Sequence, residues 1–547
     1  GVRNTTLETL IRRFKDSGHY LTDHVIFKEV IKQKGHLDVV CGEPVEFEEF
    51  VAQGYAGEEK DFIRLKLRTP RTFSRSPLAL IAVIDSSGSM GDNACNNNPE
   101  LSQFNFTRME LVQHALRTLT LTLLEQDQMA LIKFNSRSTV LSPLINMDDD
   151  GKDKMLDCIE NLKTSGRTNM LEGIRSAIEL VRGSDFNGNI AVMVFSDGKV
   201  NVDYTTDFIP TVLNAYHGVP KLFSISTFSY GKKINSYPLE QIARGCRGVY
   251  GYVPDPSMNG TILINYAASM LTTITQGAQL KIVKADGTEE NLEIALRIGG
   301  KRNVLVEIPK GSFGSTRITL TIPQTGQEFH PELIIMPKES EEIAIKEQIL
   351  KAHFLEAVEK ATGPQPQPAF IDQFVQELSG APNTPFVNAL RQDILATDAS
   401  HGQVKKALQA EYYDIWGRDY LRSYRRYHEV EICNNFKDAS LQSYTSPELS
   451  VERRRVNKIF ISILGPEQVR QLHEKGKKFM IIPFNCLIGG EVVDQSKGIT
   501  AILEALTRPQ RDSVFGDFSS RSSTSSMSCF FNRYGGCFNG NALCALK

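Results

Sequence analysis

The stretch LALIAVIDSSGSM, residues 78–90, decides the fold. It opens on an unbroken run of Leu, Ala, Ile and Val, the signature of a parallel strand buried on both faces. The polar burst after Ile84 marks the carboxyl end of that strand. In open α/β sheets ligands are held at this edge, where loops leave the strand ends. Asp85, Ser87 and Ser89 stand there at alternate positions in a glycine-containing turn, so one carboxylate and two hydroxyls can converge. Such a set of hard oxygen donors suits a divalent cation.

Three oxygens do not fill a coordination sphere, and the chain supplies more. Gly166-Arg167-Thr168-Asn169 offers a threonine hydroxyl just ahead of a helical pattern that begins at Met170. The apolar run at residues 190–195 ends in Ser196-Asp197-Gly198, a second carboxylate on the same edge. Taken in order, Asp85, Ser87, Ser89, Thr168 and Asp197 resemble the metal-ion-dependent adhesion site of a von Willebrand factor type A domain. The resemblance implies a Rossmann-like sheet and a divalent cation on those five residues, with Mg²⁺ expected and Mn²⁺ or Ca²⁺ as substitutes. It also implies one coordination position left for a carboxylate from a partner protein. On that reading Asp197→Ala abolishes metal-dependent partner binding and leaves the fold intact.

A chain of 547 residues is too long for a single core. Its net charge of −2 argues against a nucleic-acid partner, which would call for a basic excess. Basic runs at 422–426, 453–455 and 475–478 read as solvated helix faces. No apolar stretch reaches the ~18 to 20 residues of a membrane span, and the N-terminus has no apolar core of the signal-peptide kind. The first residue is Gly1 rather than Met, so an upstream part is expected. Nine cysteines without paired spacing do not read as a disulfide framework, and a reducing, cytoplasmic compartment is expected. Sequons at Asn4, Asn105 and Asn259 matter only in a secreted chain.

Residues 78–276 alternate strands and helices as a doubly wound domain does. Helices are expected at 107–124, 151–162, 171–181, 207–215 and 239–243. Strands are expected at 128–134, near Val140, and at 221–227 and 248–252. The polar insert at 91–106 reads as a spacer beside the site. Phe62 to Leu67 alternates at period two, and strand patterns recur at 278–336. The expected fold class is therefore α/β: a doubly wound, mostly parallel sheet inserted in a small β-sandwich built from 45–77 and 278–338, followed by a helical domain. Residues 1–44 read as an N-terminal helical segment, and 258–274 as a helix leaving the α/β domain. The acidic run Asp148-Asp149-Asp150-Gly151-Lys152-Asp153 hints at a calcium loop, but its glycine is fourth where such a loop needs it sixth. A helix N-terminal cap explains it better.

Helices are also expected at 341–361, 369–378, 403–410 and 412–427. Tyr412-Tyr413-Asp414-Ile415-Trp416-Gly417-Arg418-Asp419-Tyr420-Leu421, followed by Cys433-Asn434-Asn435-Phe436-Lys437-Asp438, is similar to the VWA/Hh intein-like segment. That resemblance assigns 339–465 to a linker domain. Residues 466–518 carry no fold assignment, and 519–536 read as a Ser-rich linker. Cys537-Phe538-Asn539-Gly540-Asn541-Ala542, after Gly535-Gly536, resembles the opening of a Hint domain at 537–547. There the Cys537 thiol would attack the Gly536 carbonyl, the Gly536–Cys537 amide bond would break to free the Cys537 amine, and a thioester would join the two. The Thr and His partners that the resemblance implies would lie beyond Lys547, so this stretch of chain is expected not to act as an enzyme. Two further readings stand beside the binding module. One is the front part of a self-processing precursor. The other is a metal-dependent hydrolase, disfavoured because no histidine stands near the five ligands and the nearest spare carboxylates are Asp92 and Glu172.

Overall fold

The structure, a computed structural model, describes residues 37–71, 73–94, 106–198, 207–335, 339–396 and 402–462, and a short antiparallel pair, Cys486–Ile488 with Glu491–Val493. The expected helices of 1–34, the stretch 519–536 and Cys537 lie outside the described residues.

Two strands come first, β1 (Glu49–Ala56) and β2 (Asp61–Arg68). The chain then enters the α/β segment. Its elements are β3 (Leu78–Asp85), α1 (Arg108–Thr122), β4 (Gln128–Phe134), β5 (Ser138–Asn146), α2 (Asp149–Glu160), α3 (Met170–Gly183), β6 (Asn189–Ser196), α4 (Phe208–His217), β7 (Phe223–Tyr230), α5 (Tyr237–Gly245), β8 (Arg247–Val253) and α6 (Pro256–Leu271). The sheet runs β5-β4-β3-β6-β7-β8, parallel throughout except for the antiparallel β5. Strand order reverses at β3, and the crevice between the ends of β3 and β6 is the topological switch point.

Burial explains the run that starts at Leu78. Leu78, Leu80, Ala82 and Ile84 face α1, α2 and α6, while Ala79, Ile81 and Val83 face α3, α4 and α5. Both faces are covered, so every residue of β3 is apolar until Asp85. The start of β3 is pinned by a buried bidentate pair. Arg75 donates to both oxygens of Asp127, at 2.8 and 2.6 Å, and the same carboxylate accepts from the backbone N–H of Leu78 and Leu124. Asp148 caps α2, accepting from Gly151 N–H at 2.8 Å, which is what the acidic run does instead of binding calcium.

After the α/β segment come β9 (Thr273–Val283), β10 (Glu289–Arg297), β11 (Lys301–Ile308), β12 (Arg317–Ile322), β13 (Gln327–Phe329) and β14 (Glu332–Ile335). They form two four-stranded sheets, β11-β2-β1-β14 and β10-β9-β12-β13, so strands from before and after the α/β segment pair with each other. Inward residues recur at period two, such as Ile63, Leu65 and Leu67 against Leu280, Ile282 and Leu320. β9 begins at Thr273, inside the stretch 258–274 expected to be one helix, because the β-branched run Thr272-Thr273-Ile274-Thr275 favours a strand.

The helical region comprises α7 (Glu339–Thr362), α8 (Ala369–Gly380), α9 (Pro385–Leu395), α10 (Gln403–Ala407), α11 (Arg418–Val430) and α12 (Pro447–Ser462), with a π turn at Tyr413–Gly417 before α11. Its core is continuous with one face of the α/β sheet: Phe354, Tyr424, Tyr427 and Phe460 join the cluster of Leu80 and Val112. The basic run at 422–426 is not a solvated face. Arg422 and Arg425 are buried, Arg425 pairs with buried Glu240 of α5, and Arg422 donates to Ser236 Oγ and the Thr362 carbonyl. Arg453, from the second run, is buried as well and donates to Thr445. Among the described residues no helix is long and apolar enough to cross a membrane.

Candidate metal centre

Asp85, the last residue of β3, is fully buried. One of its carboxylate oxygens accepts from Ser87 N–H at 2.9 Å, and the other accepts from Ser196 Oγ at 2.7 Å, across the switch point. Burial pushes the Asp85 carboxyl up to about 6; hydrogen bonds from Ser87 and Ser196 oppose that push, and the Asp197 charge adds to it. The turn after Asp85 tightens into a short 3₁₀ segment, Gly88–Gly91, and sets Ser87 Oγ and Ser89 Oγ 3.3 Å apart.

Thr168 belongs to a different loop, and backbone bonds tie the two together. Ser165 N–H donates to the Ser86 carbonyl at 2.7 Å, and Gly88 N–H to the Gly166 carbonyl at 3.1 Å. Asn169, next in the chain, caps α3 by accepting from Glu172 N–H, which fixes Thr168 in the turn before the helix. Thr168 is fully buried, and among the described residues its Oγ1 has no hydrogen-bond partner. A buried hydroxyl left this way costs free energy unless something else satisfies it.

Asp197 follows β6 and is fully buried. The arginine that meets it, Arg108, was not anticipated from sequence. Its guanidinium Nη1 donates to Asp197 Oδ2 at 2.7 Å and to the Ser89 carbonyl at 2.9 Å, so these two acceptors lie within two hydrogen-bond lengths of each other. Asp92 approaches the same nitrogen at 3.5 Å. Gly231 leaves room for the group: a Cβ there would sit 3.0 Å from Arg108 Nε. The available signal was positional. Arg108 is the first residue of α1, capped by Thr107 with Glu110, and a cation there opposes the helix dipole unless an anion holds it. Asp197→Ala would leave the buried Arg108 guanidinium with only the Ser89 carbonyl and Asp92, so a stability cost is expected beside any loss of binding.

The loops of all five sequence-selected residues border the switch point: the Ser87 and Ser89 hydroxyls touch, Asp85 accepts from Ser87 N–H, Asp197 joins through Arg108, and the Thr168 loop joins through backbone bonds. Four of the five are buried and Ser89 is half-buried. The donor set fits a hard divalent ion: two carboxylates, three hydroxyls and one partnerless buried oxygen. Among the described residues no cluster of three or more His, Cys, Asp or Glu offers an alternative.

Comparison with known proteins bears on this architecture. Residues 80–199 match the sequence family of the von Willebrand factor type A domain, and 384–458 match the VWA / Hh protein intein-like family. The α/β segment is a von Willebrand factor type A domain. The type A segment here has the expected mostly parallel sheet, followed by the helical region. Among solved structures, von Willebrand factor type A from Catenulispora acidiphila aligns over 70% of this chain and 97% of its own, with 16% identity and a TM-score of 0.47. The ArnB paralog VWA2 from Sulfolobus acidocaldarius aligns over 71% and 99%, with 12% identity and a TM-score of 0.41. No curated protein matches the sequence. Type A domains are generally protein-interaction modules without enzymatic activity.

Proposed function

We propose that this chain is a metal-dependent protein-interaction module that takes a carboxylate of its partner at the switch point. The observation that carries the reading is Thr168 Oγ1, buried without a hydrogen-bond partner among the described residues, in a loop bonded to the backbone of the Ser87 turn. Ser87, Ser89 and Thr168 would hold the ion through their hydroxyls, with Asp85 and Asp197 contributing directly or through water. When bound, Mg²⁺ supplies a positive acceptor for a carboxylate oxygen.

Arg108 sharpens the charge balance. With Asp92 set against Arg108, the Asp85 and Asp197 carboxylates balance a divalent ion, so the occupied site holds no surplus negative charge. A partner carboxylate is therefore not repelled once the ion is bound. The test is titration calorimetry with Mg²⁺ on intact, Ser89→Ala and Thr168→Val protein, followed by partner pull-down in Mg²⁺ or chelator. Both variants should lose metal affinity at least tenfold, on the order of 1.4 kcal/mol. Pull-down of equal strength in excess chelator would defeat the reading.

The match at 384–458 supports a second reading, in which the chain is the front of a self-processing precursor with Cys537 as nucleophile and Gly536 as the acyl donor. Mass spectrometry of a longer expressed chain, with and without Cys537→Ala, tests it. Absence of a product ending at Gly536 counts against it.

A further inference from the structure

Four cations stand around the switch point on two separate walls. Arg137 follows the end of β4, and Arg167 precedes Thr168. Those two loops are knit together: Arg167 N–H donates to Ser136 Oγ at 3.2 Å, and Asn135 Nδ2 donates to the Ser165 carbonyl at 3.1 Å. On the other side the loop after β7 carries Lys232 and Lys233. Gly231 of that loop packs on Arg108, and a Cβ at Gly198 would lie 3.4 Å from Ile234, so the loop borders the site. Its backbone is fixed from behind, Lys233 N–H donating to the Ile415 carbonyl at 2.9 Å. Arg137, Arg167 and Lys233 are exposed and Lys232 is half-buried, and none of the four forms an ion pair among the described residues. Three acids of neighbouring loops are engaged elsewhere: Asp92 with Arg108, Asp414 with Arg418 at 3.7 Å, and Glu172 with Arg175 at 3.5 Å. In a chain of net charge −2, this is a local basic collar around a carboxylate-accepting position.

The sheet order sets the spacing of the collar. From β4 to β7 is three strand intervals, β4-β3-β6-β7, or about 14 Å at ~4.8 Å each, with the switch point midway. A partner strand laid across the strand ends rises ~3.3 Å per residue, so two residues cover the ~7 Å from centre to either wall. Residues i−2, i and i+2 of an extended segment also point to the same side. Resting on the metal reading above, we infer that the partner element is an extended acidic protein segment. Its central carboxylate goes to the switch point, one flanking carboxylate meets Arg137 and Arg167, and the other meets Lys232 and Lys233.

Three labelled five-residue peptides test this by fluorescence anisotropy on the full chain, in Mg²⁺ and in chelator at physiological salt. They are Asp-Thr-Asp-Thr-Asp, the centre-only Asn-Thr-Asp-Thr-Asn, and Thr-Asp-Asp-Asp-Thr, which keeps the charge and changes the spacing. The alternating triacid should bind roughly tenfold more tightly than either of the others in Mg²⁺ and lose binding in chelator. Arg137→Gln with Arg167→Gln, or Lys232→Gln with Lys233→Gln, should each remove about half of the logarithm of that advantage, with the melting temperature unchanged. Equal binding of the three peptides in Mg²⁺ overturns the collar and leaves the metal reading standing. Triacid binding undiminished in chelator overturns both. No binding by any peptide while calorimetry still registers Mg²⁺ overturns the segment assignment alone. Displacement of the triacid by a single-stranded oligonucleotide of equal charge as effectively as by itself reassigns the surface away from protein.

Discussion

Thr168 shows how one atom separates a metal ligand from a structural threonine. If its hydroxyl only filled space, Thr168→Val would lose nothing. If the hydroxyl waits for a cation, the same change is neutral to about 1 kcal/mol stabilising without metal, because a partnerless buried oxygen is removed. In saturating Mg²⁺ the order should reverse, the parent protein gaining melting temperature that the variant does not. Differential scanning fluorimetry with and without Mg²⁺ reads both. Asp419 gives a second test at this scale. It is buried in α11, hydrogen-bonded by Ser236 Oγ, and burial holds its carboxyl at about 6. A raised acid pKa favours the folded state when protonated, so this contribution is complete below about pH 4. It fades as pH rises from about 4 to about 6. Asp419→Asn should flatten that part of the stability profile, by up to ~3 kcal/mol between its ends. A difference profile without slope in that window would show that Asp419 titrates normally.

The five candidate positions stand out in sequence because each sits at a fixed offset from an element boundary. Asp85 and Asp197 follow apolar strands, and Thr168 precedes a capped helix. Arg108 was hidden because its partner lies 89 residues away and only the closed sheet brings them together. The buried arginines of α11 were misread for the same reason: a charge run looks solvated until Glu240 and the Thr362 carbonyl are beside it.

At the scale of elements, α9 and α12 went unread although their start signals were present. Thr384 caps α9 ahead of Pro385, accepting from Val387 N–H. Helix α6 is apolar all round, a pattern that marks burial between layers: it lies between the sheet and α12, where Gly260 leaves room for the Phe460 ring. Gly260→Leu should drive those helices apart and cost several kcal/mol in chemical denaturation, well beyond the ~1 kcal/mol of a surface change. The seam at β3 is just as exacting. Asp127→Ala strands Arg75 and frees the N–H groups of Leu78 and Leu124, a loss of about 3 to 5 kcal/mol by urea unfolding. A loss under 1 kcal/mol would mean water reaches the pair.

Across the whole molecule, α11 closes two sheets at once. Its Ser423 and Arg426 donate to the carbonyls of Tyr250 and Gly248 on the outer edge of β8. Just past its end Glu431 receives Lys351, Arg302 and the Asn303 N–H of β11, the outer strand of a sandwich sheet. Open strand edges invite pairing between molecules. A chain ending at residue 338 should therefore self-associate where the longer chain stays monodisperse, as light scattering at matched concentration would reveal. Asn259 belongs to the same packing: it is buried, donates to the Leu111 carbonyl and accepts from Tyr230, so its sequon presents no acceptor once the chain has folded.

The pairing of β2 with β11 also sets a timetable for synthesis. Lys60 emerges from the ribosome 247 residues before Glu307, its partner across that pair of strands. At ~5 to 20 residues per second the gap is about 10 to 50 s. Throughout that interval the first hairpin has no sheet to complete, and the inward row Ile63, Leu65 and Leu67 has to wait for β9 and β12 to cover it.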